Sequence, residues 1–429
     1  MFFLSKLSGL LIFLSFLTTL YSYFFSENLL IIAGIFAWVS FLILFSSLKN
    51  KTIIIVLLIL SVFAFCFSYF NGYKIDFVKV FTVNQYLLTL LIGVGFLRLI
   101  ATPKKDKLTQ FPIGKDSFIK TYFGVHLFGS VINLSSLILV ADKMYKKSPL
   151  TNTQVVLLTR AFASDAYWSP FFVAFAAAIT YAPKLDTSII LLNGIVLAFF
   201  AFLITYFEVV KNKEFKLDEF RGYPLSFESL YVPFILAILV LVTNYIYPNI
   251  KVIVLISTFS IFITLLIFPF KKGLSQSLIK FNNHVIEELP KMKVEIALFL
   301  VAGMFGISIS SILIGLNLDL PFKIFDWQIA SILLFIFIML AFIGIHPIIT
   351  IAIIGDFLGG VNHTLLALTF LMAWSTTVST SPFSGLNLTI VARYNFDAKE
   401  IFRLNIFYAF KMYLICVFCL FLVSKYLGL

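Results

Sequence analysis

Ser169-Pro170-Phe171 recurs as Ser381-Pro382-Phe383, and in both places the tripeptide interrupts a long apolar stretch. A second pair lies in the same regions: Gly124-Val125-His126-Leu127 is answered by Gly344-Ile345-His346-Pro347. A proline inside a helix removes an amide donor and collides with the preceding turn, and a histidine in apolar sequence has to be hydrogen-bonded. Such breaks are costly, so their duplication half a chain apart points to a duplicated architecture with an interruption in each copy. The expected fold class is an all-α polytopic membrane protein of about eleven transmembrane helices. Two inverted repeats would each hold a re-entrant hairpin and a broken helix.

The composition agrees with this reading. Of 429 residues 61% are hydrophobic and 12% charged, where a soluble domain is roughly a quarter charged. Apolar runs of about 20 residues follow one another from end to end, which only a bundle of spanning helices accommodates. The first run, starting at Leu7 after Lys6, lacks a small-x-small cleavage site and is expected to remain as an uncleaved helix. The net charge of +12 is what cytoplasmic loops collect, so no nucleic-acid partner is expected. Cys66, Cys416 and Cys419 offer no second ligand pair and are read as apolar packing.

Spans are expected at 7–25, 29–47, 52–71, 86–101 and 187–208 in the first half, and at 229–247, 252–270, 296–316 and 403–425 in the second. Interrupted stretches fall at 118–142 and 153–182, and again at 327–358 and 364–394. Charge chooses between the threadings. If 118–142 and 327–358 are hairpins and 153–182 and 364–394 cross, then Lys104, Lys105, Lys107, Lys143, Lys146, Lys147, Lys211, Lys213 and Lys216 all face the cytoplasm with the N-terminus. Few cations are left outside, among them Lys74, Lys184 and Lys323. The chain then divides into an extra helix over 1–28, a first repeat over 29–208, a cytoplasmic linker over 209–228 and a second repeat over 229–429. An odd number of crossings per repeat turns the second upside down, so the hairpins enter from opposite faces. In the connector 271–295, Leu274, Leu278, Phe281, Val285 and Leu289 recur at helical spacing, which suits a helix on the cytoplasmic membrane surface.

Polar groups inside apolar segments are the candidates for chemistry, because each costs free energy unless it is satisfied. The first hairpin contains His126, Ser130, Asn133, Ser135 and Ser136, and the first broken helix contains Arg160, Ser164, Asp165 and Ser169. The second hairpin has His346, Thr350 and Asp356. The second broken helix is richest, with Ser375, Thr376, Thr377, Ser379, Thr380, Ser381, Ser384, Asn387 and Thr389. Amides at the start of a half-helix attract anions, and freed carbonyls and hydroxyls suit Na⁺. The competing reading is a kinked helix whose hydroxyls bond back to their own turn. His126 and His346 are read as equivalent positions suited to proton coupling or a solute hydrogen bond. His284 and His363 are read as solvated loop residues. Arg160 and Asp165 could form an ion pair, or Arg160 could meet a carboxylate while Asp165 holds a cation. The matching positions of the second half are Met372 and Thr377, which carry no charge.

The run Thr380-Ser381-Pro382-Phe383-Ser384-Gly385-Leu386-Asn387-Leu388 resembles the Thr-Pro-Pro-x-Gly-x-Asn run in the large membrane subunit of tripartite (TRAP) carboxylate transporters. It is similar also to the Gly-Thr-Pro-Pro-Asn run of divalent anion:sodium symporters. The arrangement as a whole resembles the ion transporter superfamily. One proline replaces the family's two, and the first break, Trp168-Ser169-Pro170-Phe171-Phe172, lacks Gly and Asn.

The resemblance implies a secondary active transporter of the inner membrane, working as a homodimer without cofactor and without enzymatic activity. It would move a small, carboxylate-like anion with Na⁺ or H⁺, sliding hairpins and broken helices against a scaffold. The expected binding residues are Thr380, Ser381, Ser384 and Asn387, with Ser130, Asn133, Ser169, Asp165, His126 and His346. Two alternatives keep the fold: a cation/proton antiporter using Asp165, Asp356 and the two histidines, and the membrane subunit of a TRAP-like assembly.

Overall fold

A computed structural model describes residues 2–48, 51–101, 112–223, 231–318 and 320–429. Lys104, Lys105 and Lys107, the part of the linker over 224–228, and the side chain of Ser135 lie outside the described residues.

The described residues are almost entirely helical; their isolated extended pairing joins Ile113 to Arg221. The first part of the chain gives α1 (Phe2–Phe25), α2 (Leu30–Phe45), α3 (Thr52–Phe70), α4 (Phe77–Thr82) and α5 (Gln85–Ala101). The first hairpin is α6 (Lys115–Ile132) and α7 (Leu134–Tyr145), and the first broken helix is α8 (Asn152–Ala163) and α9 (Val173–Tyr181), followed by α10 (Thr187–Lys211). The second part gives α11 (Tyr231–Ile246), α12 (Val252–Lys272), α13 (Leu274–Asn283) and α14 (Lys293–Gly315). Then come the second hairpin, α15 (Trp327–Phe342) and α16 (Pro347–Phe357), the second broken helix, α17 (His363–Thr380) and α18 (Gly385–Tyr394), and α19 (Ala398–Tyr426).

Local chemistry sets these boundaries. Thr151 and Gln154 form a reciprocal capping box at the start of α8. The carboxylate of Asp326 accepts the amides of Gln328 and Ile329 to start α15, and the amide oxygen of Asn362 accepts those of Thr364 and Leu365 to start α17. Among the described residues, 8 helical segments are long and apolar enough to cross a bilayer. The shorter α11 and the two broken helices bring the crossings to the number expected from sequence. Leu42, Phe63, Leu192 and Phe407 stand exposed on these helices, as side chains facing hydrocarbon do.

The chain forms two compact units. The first holds α1 to α5, α11 to α14 and α16; the second holds α6 to α10, α15 and α17 to α19. Each unit therefore draws on both repeats, and within each the contacts are exchanged in pairs. In the first unit α5 packs on α12 while α14 packs on α3. In the second α8 meets α19 while α17 meets α10. Swapping one repeat for the other turns each contact into its partner, as a two-fold pseudo-axis requires.

Two expectations need correction in the first unit. The connector is not one surface helix. After α13 the chain passes through a π turn (His284–Glu288) and a 3-10 turn (Leu289–Met292) into α14. Leu274 and Leu278 are exposed, but Val285 and Leu289 are buried, because this second stretch packs against α1. His284 is consequently no solvated residue: it is 4% exposed and its ring lies 4.6 Å from that of Phe96.

Candidate functional site: the two helix breaks

At the second break, Pro382 has no amide to offer the carbonyl of Val378, four residues earlier. The Ser384 hydroxyl donates to that carbonyl instead, at 2.8 Å, and also accepts the Asn387 amide at 3.1 Å, which starts α18. The Asn387 side chain donates to the carbonyls of Ser379 and Ser381 at 3.1 and 2.9 Å. The polar run thus mends the break it causes, as the kinked-helix reading requires for part of it. What is left over is specific. Asn387 Oδ1 is buried with no hydrogen-bond partner among the described residues. Thr380 is buried and its hydroxyl meets only that of Ser379, at 3.2 Å, among the bonds described. Gly385, the first residue of α18, has open space where a side chain would lie.

The first break is built differently. α8 runs on through a 3-10 turn, Ser164–Tyr167, before Trp168-Ser169-Pro170-Phe171-Phe172 leads into α9. Yet the two serines behave alike. Ser169 donates its hydroxyl to the carbonyl of Ser130 in the first hairpin and accepts the Phe171 amide at 3.2 Å. Ser381 donates to the carbonyl of Ala341 in the second hairpin at 2.6 Å and accepts the Phe383 amide at 3.2 Å. Each hydroxyl therefore ties a helix break to a hairpin, three residues before the hairpin's turn. Those turns are Asn133 (φ 52) and Gly344 (φ 105), both in the left-handed half of backbone space. Asn133 serves the turn: its carbonyl accepts the Ser136 hydroxyl at 3.0 Å.

This register corrects the equivalence of the two histidines. The serines are 212 positions apart (169 and 381), the hairpin turns 211 (133 and 344), and the histidines 220 (126 and 346). His346 sits at the turn of its hairpin, its ring edge-on to Trp374 at 5.2 Å. It lines a small cleft with Gly344, Thr377, Ser381, Phe383 and Ser384, whose free space of about 10 Å³ suits one water-sized species. His126 lies two turns down the first arm of its hairpin, facing the first break.

There His126 meets Asp165, which is 0% exposed. Nδ1 of His126 lies 2.7 Å from Asp165 Oδ1, 2.9 Å from the Ser164 hydroxyl and 3.1 Å from the Ala161 carbonyl. On the other side of the ring, Trp168 Nε1 donates to Nε2 at 3.2 Å. Neither carboxylate oxygen of Asp165 accepts a well-directed hydrogen bond among the described residues. Oδ2 rests against Gly129, where a Cβ would overlap it.

Arg160 does not pair with Asp165. It is 1% exposed and takes Glu208 Oε2 at 2.5 Å, Asn405 Oδ1 at 2.8 Å and the Leu404 carbonyl at 2.8 Å, with its guanidinium 4.3 Å from the Tyr408 ring centre. Lys411 reaches the other oxygen of Glu208. This cluster joins α8 to α10 and α19 and engages all three nitrogens of Arg160. Glu208, Asn405 and Lys411 were legible only as isolated polar residues in apolar spans. Asp356, in the first unit, pairs with Lys79 at 2.5 Å and accepts from Ser310 at 3.0 Å. His363 opens α17, where its Nδ1 accepts the Lys184 amide at 3.0 Å. The second unit therefore brings Thr380, Ser381, Ser384 and Asn387 together at one break, and Ser130, Ser169, His126 and Asp165 at the other. Trp168, Gly129 and the Ala341 carbonyl join them unannounced by the sequence.

No protein-family model matches the sequence, and no curated protein matches it. Among solved structures, the chain is similar to the YdaH transporter of Alcanivorax borkumensis, with a TM-score of 0.56 over 87% of this chain and 98% of that one, at 11% identity. That structure was reported as having an unusual topology. The chain shares the fold of a helical membrane transporter.

Proposed function

We propose that the chain belongs to the ion transporter superfamily and is a secondary active transporter of a small, carboxylate-like anion, coupled to Na⁺ or H⁺. The observation that carries this reading is the pair of helix breaks, each tied by a serine hydroxyl to a hairpin carbonyl within one compact unit. Such a unit suits elevator-type alternating access, in which the two broken helices and the hairpin arms α6, α7 and α15 would move as one body. The N-terminal end of α18 supplies a positive pole for an anion, and Asn387 Oδ1 supplies an acceptor for a cation or a solute donor. We place the protein in the inner membrane, as a homodimer with its N-terminus in the cytoplasm, where the positive-inside distribution puts it.

Uptake into proteoliposomes decides the matter. A panel of carboxylates, oxyanions and amino acids, tested under separate Na⁺ and H⁺ gradients, should yield at least one anion that accumulates only under a gradient. Failure of every solute under both gradients overturns the reading. One observation favours a second reading of the same fold, a cation/proton antiporter: the buried His126–Asp165 contact. Ion-driven pH changes inside vesicles without any organic solute would select it.

A further inference from the structure

We infer that His126 and Asp165 form a proton-binding site and that Trp168 ties its occupancy to the first helix break. The inference rests on the transport reading above and names its coupling ion.

The hydrogen bonds around the imidazole define its protonation. Three oxygens converge on Nδ1, from Asp165, Ser164 and Ala161, so Nδ1 carries the hydrogen. Trp168 Nε1 can only donate, so Nε2 presents its lone pair. The ring is a neutral imidazole beside a carboxylate, and the pair has room for one more proton. The surroundings favour its arrival. A fully buried carboxylate with no well-directed hydrogen bond is costly, and a net positive neighbour relieves it.

The other ionisable groups nearby do not supply that charge. Tyr122, on the same helix, stacks on the ring at 6.4 Å. Arg160 on α8 is held by Glu208 of α10. Tyr167 turns to Thr376 of α17, a helix with no acid or base beyond His363. Asp142 of α7 is taken by Arg393.

A proton arriving at Nε2 turns that atom from acceptor to donor. Two N–H groups cannot face one another at 3.2 Å, so the indole of Trp168 has to leave. Trp168 immediately precedes Ser169, whose hydroxyl holds the Ser130 carbonyl of the first hairpin. Proton binding is thereby transmitted to the joint between break and hairpin.

The test uses the full chain in lipid nanodiscs, with Trp38, Trp327 and Trp374 changed to Phe so that Trp168 alone emits. Histidinium quenches indole emission, so a titration from about pH 8 to pH 5, the range of histidine, should show one sigmoidal change that His126→Gln abolishes while helicity is kept. Flat emission in the parent, or the same transition in His126→Gln, overturns the inference. Trp168→Phe, followed by pH-difference infrared spectroscopy of the imidazole bands, should still titrate, with its transition moved to higher pH because no N–H has to be displaced. An unmoved transition there removes Trp168 from the device. Exchanging choline for Na⁺ at constant ionic strength should leave both curves unchanged; a Na⁺-dependent shift makes the site a cation site and overturns it. None of these measurements needs a transported solute, so their failure is distinct from a failure of the uptake assay.

Discussion

Asn387 has two roles that separate on substitution. Its amide nitrogen donates to the carbonyls of Ser379 and Ser381 at the second break, and its oxygen is left bare. Each hydrogen bond to a buried carbonyl contributes about 1 kcal/mol, so Asn387→Ala should lower stability by roughly 2 kcal/mol in a detergent melt and abolish uptake. Thr380→Val removes a hydroxyl that donates to no freed carbonyl. It should leave the melt within about 0.5 kcal/mol while still reducing uptake; full uptake in Thr380→Val takes Thr380 out of the site. The composition of this run pointed to the break, since Pro382 and a density of hydroxyls are visible in the sequence. Which hydroxyls mend the helix and which remain available depends on where each oxygen lies relative to the carbonyls of the preceding turn. No spacing rule supplies that.

At the scale of the element, the joint between break and hairpin is the repeated unit. Ser169→Ala and Ser381→Ala each delete one donor to one hairpin carbonyl. Both should cost about 1 kcal/mol, with near-equal falls in melting temperature in the two halves. A large inequality would argue that the joints are not equivalent. Gly129 makes a sharper case. A methyl group there overlaps Asp165 Oδ2, so Gly129→Ala should destabilise by about 1–3 kcal/mol, the range for overpacking. Most of that loss should disappear when Asp165 is also changed to Ala, a non-additivity that a double-mutant cycle reads directly. The sequence places the helix interruptions correctly, including the two breaks, because proline, glycine and asparagine punctuate helices by their own backbone preferences; the arms of the second expected hairpin, α15 and α16, fall in different units. It pairs the histidines wrongly because Gly344 makes the turn of its hairpin whereas Gly124 lies inside α6, so the two Gly-x-His runs fall at different registers of the repeat.

For the whole molecule, the three crossings α11, α12 and α14 between the loop after α10 and the loop before α15 put those two loops on opposite sides. Lys213 follows α10 and Lys323 precedes α15; both are exposed. In a background lacking Cys66, Cys416 and Cys419, cysteine at 323 should react with an impermeant maleimide from outside the cell. Cysteine at 213 should react only after permeabilisation. Labelling of both from one side would refute the threading and the inversion with it. The two compact units each take helices from both repeats, an arrangement that gathers both breaks into one body.

By itself the sequence determined that the chain crosses a membrane many times, where its helices begin and break, and that two inverted copies carry those breaks. Hydrophobic length, caps and helix-breaking residues are local properties, and a bilayer makes them decisive because no unpaired backbone is tolerated in hydrocarbon. Only the tertiary structure decided that Arg160 belongs to Glu208 and Asn405, that Asp165 belongs to His126, and that Trp168 donates to His126 Nε2 beside the first break. A buried charge takes whichever partner removes the most desolvation cost at the least geometric strain. That choice rests on distances across helices that are far apart in sequence.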